Sequence, residues 1–185
     1  MITIGIVGTQ QRIGTTTQAM QIIICLKEHE YQAAYVEMNN HGYIEKMQDY
    51  CPELPIDKEG TLICADIELF RGKKVQIANR KGYDYLIKDY GSMTEQNFQK
   101  LSFLEQDIKI VVGGTKADEI ESLEAVMLEE CYADVYYMLN FVSPEQQQDA
   151  KKEMGEWSDK TYFSLFTPDP FIYKENPAYD YMLGE

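Results

Sequence analysis

The sequence predicts an α/β fold with a mostly parallel central sheet and helices on both faces. Three observations carry that expectation. Apolar runs of strand length alternate with amphipathic stretches along most of the chain. Some of those runs are apolar throughout, as strands buried on both faces are. The opening reads strand, polar loop, helix, strand, a βαβ unit whose crossover is right-handed.

Residues 2–8 (ITIGIVG) read as a buried strand ending in Gly8. After a polar loop, 15–30 carries apolar residues at helical spacing, with threonines at its front and Lys27 toward its back. Residues 33–38 read as strand, and 43–50 as a short helix closed by Pro52 and Pro55. Residues 61–69 (TLICADIEL) read as one strand, 73–81 as a short helix, 84–89 as strand and 94–106 as helix. IKIVVGG, 108–114, is a buried strand stopped by two glycines. Residues 117–131 space Ile120, Leu123, Val126 and Met127 as an amphipathic helix. Residues 134–142 read as strand, 144–155 as helix and 161–166 as the last strand. The 185 residues suit one domain, 1–185, with a proline-interrupted tail from about 168 that is expected to be irregular and packed across the surface.

Charge and composition exclude several classes. A net charge of -14 is a poor match to a phosphate backbone, so no nucleic-acid partner is expected. No apolar run approaches the roughly 20 residues of a membrane-spanning helix, and the acidic tail FIYKENPAYDYMLGE would be repelled by an anionic lipid surface. The start lacks a basic leader and runs straight into a strand, so the expectation is a cytoplasmic protein without stable membrane insertion. The four cysteines show no C-x-x-C spacing, and a chain able to bury a core does not call for a disulfide framework. Neither His29 nor His41 shows ligand partners at metal spacing, so no zinc site is expected.

The chemistry-bearing stretch is the loop between the first strand and helix. A strand feeding a tight loop and a helix N-terminus offers free amides and a helix dipole to an anion. The usual signature is G-x-x-x-x-G-K-[ST]. Aligned on Gly14, its lysine falls on Thr15, its Mg²⁺-binding hydroxyl on Thr16 and its first glycine on Thr9. From the loop alone, a phosphate site and an ordinary strand–helix turn stand equally open.

The longer string IGIVGTQQRIGTTTQAMQIIICLKEHEYQAAYVEMN resembles the opening of ParA/MinD-type P-loop ATPases, whose loop reads K-G-G-x-G-K-[ST]-[ST]. Ile13-Gly14-Thr15-Thr16-Thr17 takes the x-G-K-T-T position, and Glu37-Met38-Asn39 that of the family's acidic segment. Tyr83 to Gly91 is similar to the strand whose terminal aspartate, here Asp89, lies near Mg²⁺ and the attacking water. Tyr137-Met138-Leu139-Asn140 is similar to the strand whose asparagine contacts the base, and SLFTPDP to the late P-x-D-like loop. The resemblance runs over about residues 1–172 in the right order and implies a P-loop NTPase-like fold. It implies phosphate or nucleotide contacts from Gln10, Arg12, Ile13, Gly14, Thr15, Thr16, Thr17 and Asn140. It also implies Mg²⁺ held by Thr16, Glu37 and Asp89, ATP as the cofactor, and a protein partner or homodimer.

The departures weigh against catalysis. Thr15 replaces the lysine, Gln10 the family's extra lysine, and Gln11 and Arg12 its two flexible glycines, while Asn39 replaces the second acidic residue. Phosphoryl transfer rests on positioning and electrostatics, and a threonine supplies no positive charge. Arg12 reads either as a substitute cation or as a solvent-exposed loop arginine. Asp89 reads either as the Mg²⁺ carboxylate or as a turn former, and Asn140 either as a base reader or as a turn former. The expected function is a non-hydrolysing ParA/MinD-like protein that works through protein contact in a bacterial assembly. The alternative is an active ATP-dependent dimerising switch. A tyrosine-kinase-like role for the tail tyrosines Tyr173, Tyr179 and Tyr181 competes with their reading as packed aromatics.

Overall fold

Strand β1 (Ile2–Gly8) lies inside a single eight-stranded sheet of the computed structural model, which describes residues 1–184. The other strands are β2 (Ala33–Glu37), β3 (Leu62–Cys64), β4 (Ile67–Arg71), β5 (Tyr85–Ser92), β6 (Ile108–Gly113), β7 (Tyr136–Leu139) and β8 (Thr161–Phe163). Their order is β3-β4-β2-β5-β1-β6-β7-β8. Every pairing is parallel except the edge pair β3–β4.

The helices are α1 (Thr15–Glu28), α2 (Tyr43–Tyr50), α3 (Val75–Arg80), α4 (Lys100–Leu104), α5 (Ala117–Met127), α6 (Pro144–Glu153) and α7 (Pro177–Leu183). They cover both faces, because successive side chains of a buried strand point opposite ways. Ile4 and Ile6 of β1 pack with Met20 and Ile23 of α1 and with Tyr179 and Met182 of α7. Val7 of β1 packs on the other face with Phe103 of α4 and Leu123 and Val126 of α5. This is the predicted architecture.

Three expectations need correction. Residues 61–69 form a hairpin rather than one strand: β3 turns back into β4 at Ala65 and Asp66, whose φ values of 48° and 58° fit a two-residue primed turn. The expected helix 94–106 is confined to Lys100–Leu104. Ahead of it, the Ser92 and Thr94 hydroxyls bond each other, and Thr94 N donates to Ser92 Oγ, a local pattern that competes with a helical start. The tail is not irregular throughout. It ends in α7, where the Asn176 side chain accepts from Ala178 N, Pro177 opens the first turn and Gly184 closes the helix at φ 77°.

The tail is locked onto α1 by two glutamines in the helix interior. Gln21, fully buried, donates from Nε2 to Pro170 O (2.9 Å) and Ile172 O (3.0 Å) and accepts from Lys174 N at 2.9 Å. Gln18 accepts from the Tyr179 hydroxyl at 2.7 Å. These polar side chains satisfy the backbone of a segment that has no ladder of its own.

Candidate functional site

The connection out of β1 runs to one side of the sheet, and the connection out of β5 crosses to the other. Ligands of open α/β sheets bind at such a crossing, outside the carboxyl ends of the strands. A cavity of about 420 Å³ opens there, lined by the loop from Gln10 to Thr17 and by His41, Lys46, Gly91 and Ser92.

The loop curls tightly between the strand and the helix. Gly14 stands at φ 97°, and a Cβ there would meet the Asn140 amide nitrogen at 2.5 Å. Arg12 adopts φ 61°. That left-handed conformation costs a non-glycine residue roughly 1 kcal/mol. A Cβ on Gly8 would lie 2.6 Å from the Thr15 hydroxyl, so Thr15 turns back over the end of β1.

The first turn of α1 has neither a side-chain cap nor an acidic residue. Its leading amides therefore face the cavity with the positive end of the helix dipole. Arg12 and Lys46 add two cations, and no carboxylate lines this cavity among the described residues. In a chain of net charge -14, that is a local reversal of sign. Such a lining attracts anions.

Behind the loop, Thr16 Oγ1 donates to Asp89 Oδ2 at 2.6 Å and the Tyr35 hydroxyl donates to the same oxygen at 2.9 Å, while Gly91 N donates to Oδ1 at 2.9 Å. Asp89 is fully buried. Burial pushes its carboxyl above the usual range, against the pull of the Thr16, Gly91 and Tyr35 hydrogen bonds and of the nearby His41. Burial and the Asp89 charge push the Tyr35 phenol up as well. A buried carboxylate beside a hydroxyl is a donor set that suits a hard divalent cation such as Mg²⁺, which prefers oxygen ligands.

The remaining sequence candidates are placed as follows. Glu37 is turned toward α2: Tyr43 N donates to its Oε1 at 2.5 Å and Ile44 N to its Oε2 at 3.4 Å. Burial raises the Glu37 carboxyl, and these two amides pull it back down. Asn39 Nδ2 donates to Asp89 O at 3.0 Å, bracing the strand end. Asn140 lies beneath the loop, with Nδ2 on Ile13 O at 2.5 Å. Its Oδ1 is buried without a partner. Gln10 reaches away to α5, 3.4 Å from Asp118 Oδ2. Thr17 lines the cavity wall.

Sequence reasoning missed Lys46 and left His41 without chemistry. Both line the cavity, His41 Nε2 lies 2.6 Å from Glu95 Oε1, and Lys46 Nζ donates to His41 O at 2.7 Å. Gly42, at φ 64°, turns the chain so that α2 swings Lys46 toward the loop. No motif marks that approach; it is set by packing.

Solved structures share this architecture. A plasmid partition protein from Borrelia burgdorferi B31, bound to AMPPNP, is similar at 14% identity and a TM-score of 0.63, over 99% of this chain and 96% of that one. The MinD cell division protein of Aquifex aeolicus is 19% identical, with a TM-score of 0.57 over 81% of this chain and 73% of that one. The chain has the ParA/MinD-type P-loop fold. A ParA family ATPase from Chlorobium tepidum TLS, 14% identical, gives a TM-score of 0.55 over 83% and 81%. No protein-family model matches the chain, and no curated protein matches it. The loop from Gln10 to Thr17 follows the first strand of that fold, and Thr16 and Asp89 meet behind it. No helix among the described residues is long and apolar enough to cross a membrane.

Proposed function

We propose that this ParA/MinD-like protein holds a nucleoside polyphosphate at its altered P-loop without hydrolysing it, and acts through protein contact. The observation that carries the reading is the lining of the loop cavity, which is cationic and amide-rich yet has no carboxylate to orient a water. The two acidic-segment residues are spent on structure, Glu37 on the amides of α2 and Asn39 on the end of β5. Arg12, Lys46 and the uncapped start of α1 bind and orient phosphate oxygens. Thr16 and Asp89 are the residues that would hold Mg²⁺, which neutralises phosphate charge when bound. Contact with a protein partner is in keeping with one solved neighbour, a MinC:MinD cell division protein complex from Aquifex aeolicus. A role in a bacterial partition or division assembly belongs to the same proposal.

Calorimetric titration with Mg·ATP tests the reading. The wild-type chain binds, and Thr15→Lys binds at least about tenfold tighter, because the variant restores one charge–phosphate contact worth about 1.4 kcal/mol or more. No heat of binding in either protein refutes a phosphate site.

One observation favours the alternative of an active, dimerising switch: the Thr16–Asp89 pair is intact at 2.6 Å. Under that alternative, Mg·ATP drives a sedimentation shift to a dimer that Thr16→Ala abolishes. Our reading predicts no steady phosphate release, whatever the oligomeric state.

A further inference from the structure

At the far end of α1 from the P-loop, Cys25, His29 and Asp180 come together, and each offers one donor atom within 4.8 Å of the others. Cys25 Sγ lies 3.4 Å from Asp180 Oδ1, and His29 Nε2 lies 3.2 Å from the same oxygen. Cys25 and His29 are four residues apart at the C-terminal end of the helix, so both side chains leave the same face. Asp180 arrives from α7, 151 residues away from His29 in sequence.

We propose that these three side chains form a binding site for a zinc-like divalent cation that ties α7 to α1. The distances fit one. A tetrahedral zinc with bonds of about 2.3 Å to sulfur, about 2.05 Å to nitrogen and about 2.0 Å to oxygen separates S from O by about 3.5 Å and N from O by about 3.3 Å. The observed 3.4 and 3.2 Å match those two edges, and the sulfur and nitrogen lie within 4.8 Å of each other. Thiolate, imidazole and carboxylate together select zinc or a similar borderline metal over magnesium or calcium. The helix end contributes as well, because the carbonyl end of α1 carries the negative pole of its dipole, which favours a cation. Cys25 is buried, while the side chains of His29 and Asp180 are 44% and 38% exposed. The ion therefore enters from solvent and keeps water at its fourth position. Binding displaces the thiol proton to solvent, leaving a thiolate–metal bond.

Cys25 lies nine residues along the helix from Thr16, about 13.5 Å along the axis, so this centre is distinct from the loop at the helix start. His29, for which the sequence suggested no ligand partners at metal spacing, has donor atoms of Cys25 and Asp180 within 4.8 Å in the fold. The Cys-x-x-x-His spacing was present, but its third ligand comes from the tail, and only the fold supplies it.

Titration of the tag-free full-length protein with Co²⁺, followed by thermal unfolding with Zn²⁺, tests the proposal. The wild-type chain gives thiolate-to-cobalt charge-transfer absorption that saturates at one equivalent and is bleached by Zn²⁺. At Zn²⁺ about a hundredfold above its Kd, the unfolding midpoint rises by about 5–10 °C. Cys25→Ser abolishes the absorption. His29→Gln, a change at a half-exposed position that leaves the core untouched, weakens binding at least about tenfold and cuts the thermal shift by about half or more. A Cys51→Ser/Cys64→Ser double variant keeps both signals. Absence of the absorption at one equivalent overturns the proposal. So does a signal that survives in Cys25→Ser or is lost in the Cys51→Ser/Cys64→Ser protein.

Discussion

The two ends of helix α1 solve opposite problems. At its N-terminus the backbone is left open: Gly14 and Arg12 both sit at positive φ, the first turn has no cap, and Arg12 and Lys46 line the cavity. Farther along, Gln18 and Gln21 close every polar group of the tail that they meet, and the Cys25–His29 end meets α7. Strain and unsatisfied amides are tolerated where an anion can answer them. Where only packing is at stake, the same helix leaves nothing unpaired. The difference separates the proposed anion-binding end from a structural end, to which the proposed cation site belongs, within 14 residues.

The largest effect is expected at the structural end. Gln21→Leu leaves Pro170 O, Ile172 O and Lys174 N without their partners, and costs about 2–4 kcal/mol in chemical denaturation. A loss below about 0.5 kcal/mol would mean that the tail is held by its apolar contacts alone. A smaller effect of two opposite signs belongs to the binding end. Arg12→Gly relieves the left-handed strain and stabilises the fold by about 1 kcal/mol, yet weakens Mg·ATP binding by about tenfold. A variant that gains stability with unchanged affinity would make Arg12 a bystander.

The sequence made some of this legible and concealed the rest for physical reasons. The order of strands and helices was readable because parallel strands buried on both faces are apolar throughout, as in β1 and β6. The hairpin within 61–69 was not, because Ala65-Asp66 lacks the glycine or asparagine that usually marks a primed turn. Helix α7 was overlooked because Pro177 was counted as a breaker, although Asn-Pro at one end and glycine at the other are start and stop signals. At the P-loop, Thr16 and Asp89 were found by motif and do meet. Glu37 was assigned to the metal by the same motif, but its carboxylate faces the amides of α2, because a helix start six residues on captures it. Lys46 had no motif at all. Its approach to the loop depends on the turn at Gly42 and on how α2 packs.

The proposed function is that the loop from Gln10 to Thr17 binds a nucleotide without cleaving it. A single-turnover experiment tests it most directly: the protein in excess over labelled Mg·ATP, with the bound nucleotide recovered and separated over hours. The label is expected to stay in ATP for both proteins, with less ATP held by the Arg12→Gly protein than by wild type. Conversion of the bound label to ADP and phosphate at an enzymatic rate by the wild-type chain would contradict it.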